Sequence, residues 1–162
     1  MKKFLSVACC LLVTACGFHL RGQVSLPFET LYVNASGSSA FATQLKRAVL
    51  AGTNARLSGS SAEAQAIFVL LSEIQEKQIL SLSGAGTVRE FELRYRVAFR
   101  LHDNQGRDWI PQTEIILKRD VTFNDSQILA KESEEALLYK DMQSDAVQQV
   151  MRRLSAARAP VS

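Results

Sequence analysis

Val88–His102 reads VREFELRYRVAFRLH, the most regular run in the chain. Phe91, Leu93, Tyr95, Val97, Phe99 and Leu101 alternate with Glu90, Glu92, Arg94, Arg96, Ala98 and Arg100. Period two over this length predicts a strand with one dry face and one wet, charged face. Asp103-Asn104-Gln105-Gly106 then predicts a turn, since Asn and Gly tolerate positive φ. Residues 113–123 return as a second strand with Ile115, Leu117, Val121 and Phe123 on one side, and Pro111 is expected at its entrance, where a missing donor does least harm. Upstream, residues 66–82 begin β-rich, turn polar through Glu73 to Gln78, and end at the turn Ser83-Gly84-Ala85-Gly86.

The flanks complete the pattern. Leu31, Val33 and Ala35 alternate with Thr30, Tyr32 and Asn34, a first strand closed by Ser36-Gly37. Ser38 or Ser39 caps a helix whose Phe41, Leu45, Ala48 and Val49 share one face, and Gly52 is its expected stop. Residues 53–63 are small and polar, a connecting loop. From Ser126 to Ala157 the period becomes helical, with Leu138, Met142, Ala146, Val147, Val150 and Leu154 opposite Glu134, Lys140, Asp141, Ser144 and Gln148. Arg152, Arg153 and Arg158 near its end suit the helix dipole, and Pro160 ends the order. The order β-α-β-β-β-α predicts an α+β two-layer sandwich, a four-stranded mixed sheet with two helices on one face. The first helix crosses between strands one and two, so that pair is expected parallel, with a right-handed crossover.

Composition narrows the function. There is no GxSxG, P-loop, HExxH or dinucleotide glycine fingerprint, and most carboxylates alternate with arginines or lie on helix surfaces, so no enzyme and no cofactor are expected. Only His19 and His102 are present, which argues against a histidine-rich metal centre, and no metal site is expected. The wet face carries Glu90, Glu92, Arg94, Arg96 and Arg100, with Glu73, Gln75 and Lys77 expected beside them. It reads either as a solvated sheet or as a docking surface for a polar partner or an anionic amphiphile, whose phosphates favour Arg and Lys.

At the amino terminus Lys2-Lys3 introduces an apolar run of about ten residues, far short of the roughly 20 of a spanning helix. Small residues then lead into Cys16 through Val13-Thr14-Ala15, which resembles a bacterial lipoprotein signal. That resemblance implies cleavage after residue 15, lipidation of Cys16, a tether over 16–28, one domain over 29–158 and a short tail at 159–162. Cys9 and Cys10 would leave with the signal, so no intrachain disulfide is expected. The remaining 147 of 162 residues suffice for one domain with a core. The formal charge of +3 falls to +1 without Lys2 and Lys3, which gives no case for nucleic-acid binding.

Beyond the cysteine the chain spells Cys16-Gly17-Phe18-His19-Leu20-Arg21-Gly22. This string closely resembles the mature start of the LPS-assembly lipoprotein LptE family. The element order and Ile128-Leu129-Ala130-Lys131, opening the last helix, accord with it. The resemblance implies a plug and assembly partner inside the LptD β-barrel that binds lipopolysaccharide on its way to the outer leaflet. It also implies attachment to the outer membrane on its periplasmic side, since Gly17 stands where enteric inner-membrane lipoproteins carry Asp. His19, Leu20 and Arg21 are expected to serve the tether and the barrel contact.

Two cationic lipid contacts are implied by the family. One falls on Lys131. The other lies in the turn between strands two and three, where this chain has Gly84-Ala85-Gly86 and Arg89 is the nearest substitute. Lys131 has a plainer reading as a partner of Glu135, although a lysine in the first turn opposes the helix dipole. The alternative to the plug is a free-standing periplasmic lipid-binding or chaperone lipoprotein.

Overall fold

The computed structural model describes residues 24–123 and 128–159. The signal segment, Cys16, the tether through residue 23 with His19, Leu20 and Arg21, the helix entry at Ser126 and Pro160 lie outside them. Seven elements follow in order: β1 (Thr30–Asn34), α1 (Ala40–Gly52), β2 (Arg56–Leu57), β3 (Ala66–Leu82), β4 (Val88–His102), β5 (Asp108–Thr122) and α2 (Ile128–Ala156). The sheet order is β2-β1-β3-β4-β5, with β1 parallel to β2 and β3, and the two hairpins antiparallel.

The α+β class is as the periodicity requires, but the sheet has five strands among the described residues, not four. The addition is β2, from the stretch read as a loop. Arg56 donates its backbone N–H to Glu29 at 2.8 Å, and Ser58 donates to Leu31 at 2.9 Å. Two ladder positions are too few to print an alternation. The last strand also starts at Asp108, so Pro111 lies inside it rather than at its entrance. Pro111 is tolerated because β5 is an edge strand and its register against β4 slips between Ile110 and Thr113.

The core is one cluster. Leu93, Tyr95, Val97, Phe99 and Leu101 of β4 are fully buried, facing Phe41, Leu45 and Val49 of α1 and Met142, Ala146, Val150 and Leu154 of α2. Phe68 stacks on Phe99 with centroids 5.2 Å apart and on Phe41 at 6.5 Å. Ser39 is the N-cap of α1, accepting the Ala42 N–H at 2.9 Å. At the other end Gly52 is the last helical residue, and Thr53 makes the stop, its backbone N–H and hydroxyl both donating to the Val49 carbonyl. Between the helices, Gln44 donates to Ser144 at 2.9 Å and accepts from Gln143 at 2.7 Å.

A bulge decides which side chains of β3 meet this core. Leu70 pairs with Phe99 and Ser72 with Ala98, leaving Leu71 as an extra residue. Before it, Ala66, Phe68 and Leu70 point to the helices. After it, Glu73, Gln75, Lys77 and Ile79 do, opposite Val97, Tyr95, Leu93 and Phe91. The expectation that Glu73, Gln75 and Lys77 share the wet face is therefore wrong: one inserted residue exchanges the two faces. Glu73 turned inward accepts hydrogen bonds from Tyr95 Oη at 2.7 Å and Ser39 Oγ at 2.6 Å. Burial, then the hydrogen bond and charge of Glu73, hold the Tyr95 hydroxyl well above the ordinary phenol range.

The hairpin turns are built alike. In each, a positive-φ glycine, Gly86 at 81° and Gly106 at 82°, closes the loop, and Ser83 or Asp103 accepts backbone N–H groups across it. Burial raises the Asp103 pKa, but the Arg107 side chain and the backbone N–H groups of Arg107 and Gln105 outweigh it, leaving the carboxyl below its ordinary value of 3.8.

Phe68→Ala is expected to lower stability by about 3–5 kcal/mol in urea denaturation, because it empties the centre of an aromatic stack. Asp103 supplies a pH test. Its folded pKa is depressed, so its stabilisation is present at neutral pH and fades as pH falls from the ordinary value through the folded one. Asp103→Asn should lower the melting temperature at pH 7 and flatten the acid limb of the stability curve. An unchanged difference between the two proteins at all pH values would contradict it.

Candidate functional site

Strands β3 and β4 outrun their neighbours. β1 pairs only with Ala66–Val69 of β3, so the strand continues for thirteen residues, to Leu82, without it. α2 has 29 residues, about 44 Å at 1.5 Å each, and its buried stripe begins only at Met142. The β3–β4 hairpin and the first turns of α2 therefore overhang the core together.

Arg89 and Lys131 both lie at this distal end. The backbone carbonyl of Arg89 accepts from Phe123 N–H at 2.7 Å. Next to Phe123, the Thr122 hydroxyl lies 3.2 Å from Lys131 Nζ. Lys131 is mostly covered and also donates to Glu134 Oε2 at 2.8 Å. The partner read from spacing, Glu135, instead accepts from Lys77 across the groove at 2.6 Å. Lys77 Nζ also sits 4.3 Å from the centroid of Phe91, which meets Phe123 edge-on at 5.4 Å. Arg89 is exposed. One cation, Lys77, thus lies over a small aromatic floor, and Lys131 and Arg89 belong to the same end of the molecule.

Apolar side chains border them. Ile79 is 59% exposed, Leu80 48%, Leu82 55% and Leu129 80%. Four large aliphatics at one end exceed the scattered exposure usual on a surface. Sequence reasoning passed over them and over Lys77 as part of this end. The available signal was the lost alternation of β3 after Leu71, which marks a strand without a continuous dry face. Cations beside aliphatics can take an amphiphile with acidic head groups.

The open face of the sheet is a different surface. Arg96 pairs with Glu76 at 3.2 Å and Glu114 at 2.7 Å; Arg94 pairs with Glu92, Lys118 reaches Glu92 at 3.3 Å, and Arg100 pairs with Asp108. The hydrogen bond from Arg94, opposed in part by burial, holds the Glu92 carboxyl below its ordinary range. The hydrogen bond that Arg96 donates to Glu114 raises the Arg96 pKa further. Each of these arginines already has a carboxylate, so this face is polar but poorly prepared to bind phosphate. Ile74 and Ile116 flank Arg96 across the strands, 40% and 50% exposed.

Comparison with known proteins accords with this architecture. An uncharacterized lipoprotein B from Nitrosomonas europaea has 48% identity and a TM-score of 0.76, over 86% of this chain and 91% of its own. The rare lipoprotein B from Shewanella oneidensis has 26% identity and a TM-score of 0.68, over 79% and 95%. A minor lipoprotein from Acinetobacter baumannii, at 22% identity and a TM-score of 0.66 over 83% and 99%, shares the fold. A search of curated proteins finds no match. The pattern of the LptE family, described as lipopolysaccharide-assembly, matches residues 28–154. The chain belongs to the LptE lipopolysaccharide-assembly family.

Proposed function

We propose that this chain is a non-catalytic outer-membrane lipoprotein, anchored through Cys16, that plugs and helps assemble an LptD β-barrel and binds lipopolysaccharide through its distal end. The observation that carries the lipid contact is the placement of Lys77, Arg89 and Lys131 at one end with exposed Ile79, Leu80, Leu82 and Leu129. Lipopolysaccharide offers phosphates to the cations and acyl chains to the aliphatics. The open face, whose charges neutralise one another, suits a polar barrel lumen, where unpaired charge would be costly.

In this reading Lys131 exchanges partners. Glu134 holds it in the free protein at 2.8 Å, and a lipid phosphate competes for the same ammonium. The first turn of α2 leaves that lysine against the helix dipole, which favours the exchange. The plug requires a barrel. Extraction in mild detergent should bring a large β-barrel protein down with the chain, and its absence under conditions that keep the domain folded would leave the free-standing lipid-binding lipoprotein as the better description.

Lys131→Asp should weaken lipopolysaccharide binding by about tenfold, roughly 1.4 kcal/mol, without unfolding the domain. Arg89→Asp should act in the same direction. Glu134→Gln is the opposite control: it releases Lys131 and should tighten binding. Equal affinities for all three variants and the parent chain, read by equilibrium binding to labelled lipopolysaccharide, would reduce the distal end to ordinary surface.

A further inference from the structure

The end of the molecule opposite the proposed lipid contact holds an open surface pocket, of about 470 Å³, where the C-terminus of α2 passes the start of β5. Trp109, Pro111, Arg153, Ala156 and Arg158 line it. Trp109 Nε1 and Arg153 Nη1 are both buried and have no hydrogen-bond partner among the described residues. A buried donor without an acceptor is costly, and such groups are rare in native proteins. Here two come from two elements and belong to the wall of one cavity. Phe28 packs edge-on against Trp109 at 5.6 Å, and the Arg153 guanidinium lies 6.0 Å from the Phe99 centroid, so packing holds both side chains in place.

The lining contains two guanidiniums and no carboxylate. An acceptor entering here meets two positive charges and no negative side chain, which favours an anion. The helix C-terminus beside it carries only about half a negative charge, which two arginines outweigh. Three donor side chains around one cavity match a phosphate group, with its several acceptor oxygens, better than a carboxylate with two. We infer that Trp109, Arg153 and Arg158 form a phosphate-class anion site at this end of the domain.

Position indicates a lipid source for that phosphate. Val24, the first described residue, bridges to Thr53 and donates to the Gly52 carbonyl at 2.8 Å, at the same end of the sheet as Phe28 and Trp109. The eight residues from Cys16 to Gln23 span at most about 28 Å, so a membrane holding Cys16 lies within reach. A phospholipid headgroup and free inorganic phosphate present the same chemistry and are separable by experiment.

Trp109 is the chain's single tryptophan and reports its own site. The full chain in neutral detergent is titrated with inorganic phosphate and, separately, with short-chain phosphatidylglycerol, while tryptophan emission is followed. A saturable change with either probe is expected, and its midpoint should rise at least about tenfold in Arg153→Gln. Arg153→Lys should recover part of the affinity that Arg153→Gln loses. Saturation by inorganic phosphate identifies a soluble-anion site; a response to the lipid alone identifies a headgroup site. Arg158→Gln, at an exposed position, provides the same test should Arg153→Gln fold poorly. An emission that responds to neither probe, or titrations of the arginine variants that match the parent chain, would overturn the assignment.

Discussion

Five side chains of one strand, Leu93, Tyr95, Val97, Phe99 and Leu101, must all leave water on the same side, and the rest of the molecule is arranged to let them. Both helices lie on that side, and both neighbouring strands must meet it. β3 meets it with Phe68 and Leu70, then inserts Leu71 and continues with Glu73, Gln75 and Lys77. The change of parity places a carboxylate beside the one buried hydroxyl of the stripe. Glu73 accepts from Tyr95 and from Ser39, and Ser39 in turn caps α1. A single bulge thus satisfies the tyrosine, ties the cap to the sheet and releases the upper half of β3 from core duty.

That release creates the distal end that we propose binds lipid. Residues no longer required to bury hydrocarbon carry Lys77 and Gln78, and the aliphatics beyond them, Ile79, Leu80 and Leu82, stand exposed. α2 is held to the sheet by Arg119–Asp145 at 3.0 Å, Lys77–Glu135 at 2.6 Å and the Tyr139 hydroxyl donating to the Glu76 carbonyl at 2.7 Å. The last contact also serves a strand edge that β1 is too short to cover. Exposed ion pairs contribute little to stability, so the overhang depends on the hairpin's own ladder and on the continuity of α2 with its buried half. The molecule is polarised as a result: chain entry and the Trp109 cavity at one end, cations and aliphatics at the other.

Much of this was legible in residue order. The period of β4, the stripe of α2 and a serine cap at Ser38 or Ser39 follow from local rules, and Lys131 could be named because the family resemblance points to it. What escaped had specific causes. β2 was too short to alternate. Pro111 argued for a strand entrance because the rule against internal proline weakens only where the strand is an edge, and edges are not visible in sequence. Lys131 was matched to Glu135 by spacing, but Lys77, 58 residues from Glu135, takes that carboxylate and leaves Glu134 to Lys131.

The sequence by itself determined the class of fold, the two-sided character of β4 and the family, because each rests on periodicity or on a contiguous string. Tertiary structure alone decided which face of β3 meets the core, which carboxylate holds which cation, and that Arg89 and Lys131 share an end. The physical reason is that one unpaired residue reverses a strand's faces, and a change of register is a property of two strands together rather than of either one.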